Sequence, residues 1–126
     1  MRNTSGSPVP YYAGEDLSTA AKGTLLARGA TVREVVKAGG TDTVIGFLVT
    51  PPSSSEVGAV VQVDRAPGIY EVPVGAAAIT RGHWIISGGD GEAAGVATPN
   101  TAQLRQGVGE AWEAGAANGT VHVEKL

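Results

Sequence analysis

Apolar and polar residues alternate in short runs along most of this chain, and Gly, Asp, Asn and Pro punctuate the runs. Between Val57 and Asp64, Val57, Ala59, Val61 and Val63 share one face against Gly58, Val60, Gln62 and Asp64. Such period-two alternation predicts a half-buried strand. From Ile79 to Leu126 the same grammar recurs, and this last third reads as a meander. Trp84 and Ile86, with Ile79, are expected on one side. The chain reverses at Gly88-Gly89-Asp90-Gly91, and further runs follow at Ala93–Ala97, Gly107–Trp112 and Val121–Val123. Trp84 and Trp112 are the large side chains expected in the core.

Earlier in the chain, Leu17 to Gly29 is expected to hold the first strand or two, with Leu25 and Leu26 buried. Thr31–Ala38 carries two signals. Thr31 and Glu34 have capping-box spacing and Gly39 could end a helix. Three valines in eight residues favour a strand, and so short a helix gains little alone. The Gly39–Asp42 turn then leads into a central strand in TVIGFLVT. Pro51-Pro52-Ser53-Ser54-Ser55 is a loop, and Ile69–Val74 is another strand. Strand signals about every ten residues predict an all-β fold, a small compact β-barrel or β-sandwich of short antiparallel strands.

Residues 1–14 break the pattern. Pro8 and Pro10 hold the backbone extended, and Asn3–Ser7 is polar. The organisation expected is an extended N-terminal arm over 1–14 and a single β-domain over 15–126. Pro8, Val9, Pro10, Tyr11 and Tyr12 are the candidate partner or inter-subunit contacts, because a plain solvated tail has no use for their apolar area.

Composition sharpens this picture. The 126 residues suit one domain and one good core rather than two. Nineteen glycines suit tight turns and oppose long helices. The net charge of −3 has no basic run, which argues against a nucleic-acid partner. Cysteine is absent, so disulfides and thiolate chemistry are excluded. MRNTSGSPVPYY lacks an apolar signal core and no apolar run approaches a membrane span, so a chain made without export and without a membrane partner is expected.

Candidate chemistry is sparse. His83 and His122 are far apart, are expected within strands and have no neighbouring ligand at metal spacing, so a surface or interface role is expected and no metal. Gly89, Gly91 and Ala94 satisfy a dinucleotide-type spacing, but Gly95–Pro99 cannot form the helix that a pyrophosphate needs, and a hairpin turn explains them. Glu15 with Asp16, and Glu110 with Glu113, read as solvated carboxylates. Arg65 and Arg81 are candidates for salt bridges. Asn118-Gly119 reads as a turn before the final strand. No catalytic residue and no cofactor is expected, and the chain does not read as an enzyme.

The order of the pieces carries a resemblance. Asp16-Leu17-Ser18 and Gly23-Thr24-Leu25-Leu26 are followed by Ile45-Gly46-Phe47-Leu48 and Gly58–Val63. Then come Ala78-Ile79-Thr80-Arg81-Gly82, Asp90-Gly91-Glu92-Ala93, Gly107–Gly115 and Thr120–Val123. Over about residues 15–126 this succession resembles the capsid decoration (cement) proteins of tailed bacteriophages. His83 departs from it, standing after Gly82 where an acidic residue is common in that pattern. The resemblance implies a structural protein on the virion exterior, made in the host cytoplasm, that binds the major capsid protein of the mature head as a homo-oligomer, commonly a trimer. Another virion component, such as a head-fibre base or tail-associated β-domain, or a carbohydrate- or ligand-binding β-module, is the alternative.

Overall fold

The computed structural model describes residues 9–126. Among them lie ten strands and one short helix. The first five strands are β1 (Val9–Ala13), β2 (Leu25–Arg28), β3 (Glu34–Lys37), β4 (Gly46–Thr50) and β5 (Val60–Asp64). These close into a barrel in the order β1-β3-β2-β4-β5. Next come β6 (Gly68–Pro73), β7 (Trp84–Gly89), β8 (Glu92–Val96), α1 (Thr101–Gln106), β9 (Gly109–Ala111) and β10 (Thr120–Lys125). The strands of this second half form a sheet ordered β6-β10-β9-β7-β8. Its edges meet at a single parallel bridge, Val74 with Ala93. The fold is all-β and compact, as the alternation predicts.

The first correction concerns the arm. Val9–Ala13 is a barrel strand, antiparallel to β5 from Val9–Val63 to Tyr12–Val60, and parallel to β3 at Tyr12–Glu34 and Ala13–Val35. The β-domain therefore begins by residue 9, not 15. Pro10 sits within this strand without breaking it because β3 begins to pair only at Tyr12. The N–H that Pro10 lacks would point past the start of the β3 ladder.

The second correction concerns the core, which is double. Ala13, Leu17, Leu26, Val35, Leu48, Val61 and Val63 fill the barrel. Leu25, Ala27 and Phe47 point out of the same wall and pack with Val72, Ile85, Val121 and Val123 of the second sheet. Neighbouring residues on a strand face opposite ways. A wall covered on both sides must therefore be apolar at consecutive positions, as Leu25-Leu26 and Phe47-Leu48 are. Each of these side chains is at most 1% exposed, and burying one contributes about 1.5–3 kcal/mol.

Phe47 and Tyr70 stack across the junction, and the Tyr70 hydroxyl donates to the Ala66 carbonyl at 2.6 Å. The β7–β8 hairpin docks at its tip. Asp90 (φ 51°) and Gly91 (φ 70°) make the left-handed turn that suits a tight hairpin. The Gly91 N–H donates to Ala38 O at 3.0 Å, and its carbonyl accepts from Leu25 N–H at 2.8 Å. A Cβ on Gly91 would lie 2.8 Å from the Leu25 carbonyl oxygen and closer still to the Thr24 methyl. Beside it, buried Ser87 Oγ donates to Ala38 O at 2.7 Å.

Thr31–Ala38 resolves as the strand β3 preceded by a turn. Glu34 Oε1 accepts from Ala30 N–H at 2.9 Å and Oε2 from Thr31 Oγ at 3.3 Å. The capping spacing thus serves a turn. Arg33, at φ 62°, has a backbone no helix could continue through. The predicted faces of β7 are reversed. Ile85 and Ser87 point inward, whereas Trp84 and Ile86 lie on the half-buried side.

Candidate functional site

The proposed contact residues separate once placed on β1. Pro8 lies outside the described residues. Val9 pairs with Val63. Tyr11 turns inward, half-buried against the barrel core. Its hydroxyl accepts from Arg65 Nη1 at 3.1 Å, and the Arg33 guanidinium lies 5.4 Å from its ring centre. Pro10 and Tyr12 face outward. Tyr12, 48% exposed, stands directly opposite Val60, 58% exposed, on β5. Cross-strand neighbours on one face touch, so Pro10, Tyr12 and Val60 form an apolar strip on the outer wall. The sequence pointed to the β1 half of this strip. The β5 half was legible only as the outward face of the Val57–Asp64 alternation.

The histidines also separate. His83 precedes β7 rather than lying within a strand. His122 is held between two carboxylates, with Nδ1 2.7 Å from Glu113 Oε2 and Nε2 3.6 Å from Glu71 Oε2. The hydrogen bond that the His122 ring donates to Glu113 raises the His122 pKa above its ordinary value, with the charges of Glu113 and Glu71 adding to it. Glu113 is correspondingly lowered, chiefly by its hydrogen bond with His122. Sequence spacing missed this clasp because Glu71 arrives on β6, which pairs with β10 through Glu71–His122. Among the described residues no group of three or more side chains is arranged to hold a metal ion.

Glu15 and Asp16 serve the backbone. Asp16 Oδ1 accepts from the Ser18 N–H (2.9 Å) and hydroxyl (2.6 Å), which lowers its pKa. Glu15 Oε2 accepts from Lys37 N–H at 2.6 Å. Neither Arg65 nor Arg81 forms a salt bridge among the described residues. Arg65 donates instead to Ile45 O at 3.1 Å and to Tyr11.

The tryptophans depart from expectation. Trp84 is half-buried, and its indole N–H donates to Gln103 O of α1 at 2.8 Å. Trp112 is 55% exposed. It borders a shallow recess of about 200 Å³ with Arg81, Glu110 and Glu124. The helix that covers Trp84 was not foreseen. Its signal was Asn100 with Gln103 three residues on, a complete capping box, and Gly107 at its end. Among the described residues no helix is long and apolar enough to cross a membrane.

Comparison with known proteins finds no matching family model and no similar curated protein.

Proposed function

We propose that this protein is a structural virion component that binds the outer surface of a mature phage head and stabilises its lattice, acting as a homo-oligomer such as a trimer. The observation that carries this reading is the outward strip of Pro10, Tyr12 and Val60 on the barrel wall. A rigid sheet presenting apolar area with a tyrosine's polar tip suits a broad protein partner better than a small ligand. The order of sequence pieces supplies the partner, the major capsid protein. A protein that binds only the expanded lattice stabilises it by mass action. An oligomer strengthens modest contacts by engaging several capsomers together.

The test is co-sedimentation with expanded heads stripped of their own decoration, with unexpanded proheads as control. Saturable binding to expanded heads alone is expected, and Tyr12→Ser with Val60→Thr should weaken it. Substitution is the right tool, because truncation through residue 12 would remove part of a barrel strand. Binding to neither particle would overturn the reading.

Exposed Trp112 beside Arg81, Glu110 and Glu124 favours a second reading, a carbohydrate-binding module, since sugars stack on indole faces flanked by polar groups. A glycan array in which Trp112→Ala abolishes a specific signal would establish it.

A further inference from the structure

We propose that the barrel mouth at the Thr31–Glu34 turn is an anion site that takes a carboxylate-rich segment of a partner protein. A concavity of about 430 Å³ opens there, lined by Tyr11, Arg28, Val32, Arg33, Ile45 and Arg65 among others. Three of the chain's six arginines thus converge on one recess. All three are exposed, and none forms a salt bridge among the described residues. Glu34 is the carboxylate on the same recess, and both its oxygens are occupied by Ala30 and Thr31 of its own turn.

The cations are also positioned. Arg33 donates Nη2 to Pro10 O at 2.8 Å and lies over the Tyr11 ring. Arg65 is fixed by Ile45 O and the Tyr11 hydroxyl. Arg28 makes no side-chain hydrogen bond to the described residues, and it also lines a neighbouring recess of about 390 Å³ with Arg65, Lys125 and exposed Leu104. Arg33 and Arg65 thus hold guanidiniums at fixed places, and Arg28 adds a third with no side-chain hydrogen bond among the described residues. Guanidinium forks match carboxylates in paired hydrogen bonds.

The charge distribution selects the ligand. A nucleic acid needs a basic track along which its backbone can run. Here the net charge is −3, and the outer face of the second sheet carries Glu71, Glu110, Glu113 and Glu124. A long polyanion would be repelled beyond the mouth, whereas a short peptide with two or three carboxylates stays within it. Val32, 87% exposed at the rim, adds apolar contact for such a peptide. This site stands whether or not the protein binds phage heads.

The experiment is fluorescence anisotropy of a labelled glutamate-rich hexapeptide against the full chain, at low and physiological ionic strength. Inorganic phosphate and a short single-stranded DNA serve as competitors. Saturable binding that weakens with salt is expected. Arg28→Glu should weaken it about tenfold or more, the loss of one charge-assisted hydrogen bond. Its thermal stability should be unchanged, because Arg28 makes no side-chain hydrogen bond or salt bridge among the described residues. Arg81→Glu, remote from the mouth, should leave affinity as it was. The proposal is overturned by absence of binding at low salt, by indifference to Arg28→Glu, by equal sensitivity to Arg81→Glu, or by DNA displacing the peptide at a concentration below that of the peptide's own half-saturation.

Discussion

Phe47 and Tyr70 lie face to face, ring centres 3.9 Å apart and planes within 10° of parallel, one on the barrel and the other on the second sheet. Phe47 is 1% exposed. Because its ring belongs to the core that joins the two halves, Phe47→Ala should destabilise the whole chain by about 3–5 kcal/mol. Denaturant unfolding followed by tryptophan fluorescence and by far-ultraviolet circular dichroism should give one coincident transition. Two separate transitions would show that the halves fold independently.

Burial, aided by the Asp64 carboxylate, holds the Tyr70 hydroxyl well above the ordinary tyrosine range. The folded state therefore prefers the protonated phenol. Its contribution is complete below pH 10.0, the ordinary value, and is lost as pH rises through the folded pKa. Thermal melts between neutral and strongly alkaline pH should show this decline. Tyr70→Phe should remove that component, at a loss of about 1 kcal/mol at neutral pH for the hydrogen bond to Ala66.

The His122–Glu113 pair should be most favourable between the ordinary values of its members, 4.5 and 6.5. The raised histidine contributes fully below 6.5, and its share is lost as pH rises through its folded pKa. The lowered carboxylate contributes fully above 4.5, and its share is lost as pH falls through its folded pKa. Both groups are exposed, so the effect belongs in a titration curve rather than a melting curve. Proton NMR of the His122 ring should show a raised midpoint that drops in Glu113→Gln. A midpoint indifferent to that substitution would dissolve the pair.

The two tryptophans should respond unequally. Trp112→Ala should change stability by no more than about 0.5 kcal/mol. Trp84→Ala loses its bond to Gln103 and its cover beneath α1, and should cost about 2 kcal/mol. Equal losses in chemical denaturation would contradict the placement of Trp112 at the surface.

Fold class was readable because turn residues and alternation agreed at β5, at β10 and at the Asp90-Gly91 hairpin. The facing of β7 was not, because Trp84, Ile85 and Ile86 are all large and apolar, and only packing decides which side chains stay out. β1 escaped notice because its proline, Pro10, matches a loop, and the ladder that tolerates it comes from residues far along the chain. The second core hid in plain alternation. Leu25-Leu26 and Phe47-Leu48 look like ordinary apolar pairs until both sides of the wall are known to be covered. The arginine recess likewise assembles Arg28, Arg33 and Arg65 from separate segments, none of them a basic run.

The closure of the barrel by β1 against β5 has a kinetic consequence. Val9 cannot meet Val63 until the three intervening strand-forming stretches have been made and gathered. The entropy of that loop must be spent before the pairing returns anything. During synthesis the segment with Tyr11 and Tyr12 would wait unpaired while β2, β3 and β4 assemble beside it. A barrel left open at that seam offers the free edges of β3 and β5 to any other copy of the same strand, so crowded refolding should favour exchange of β1 between chains over its return to its own.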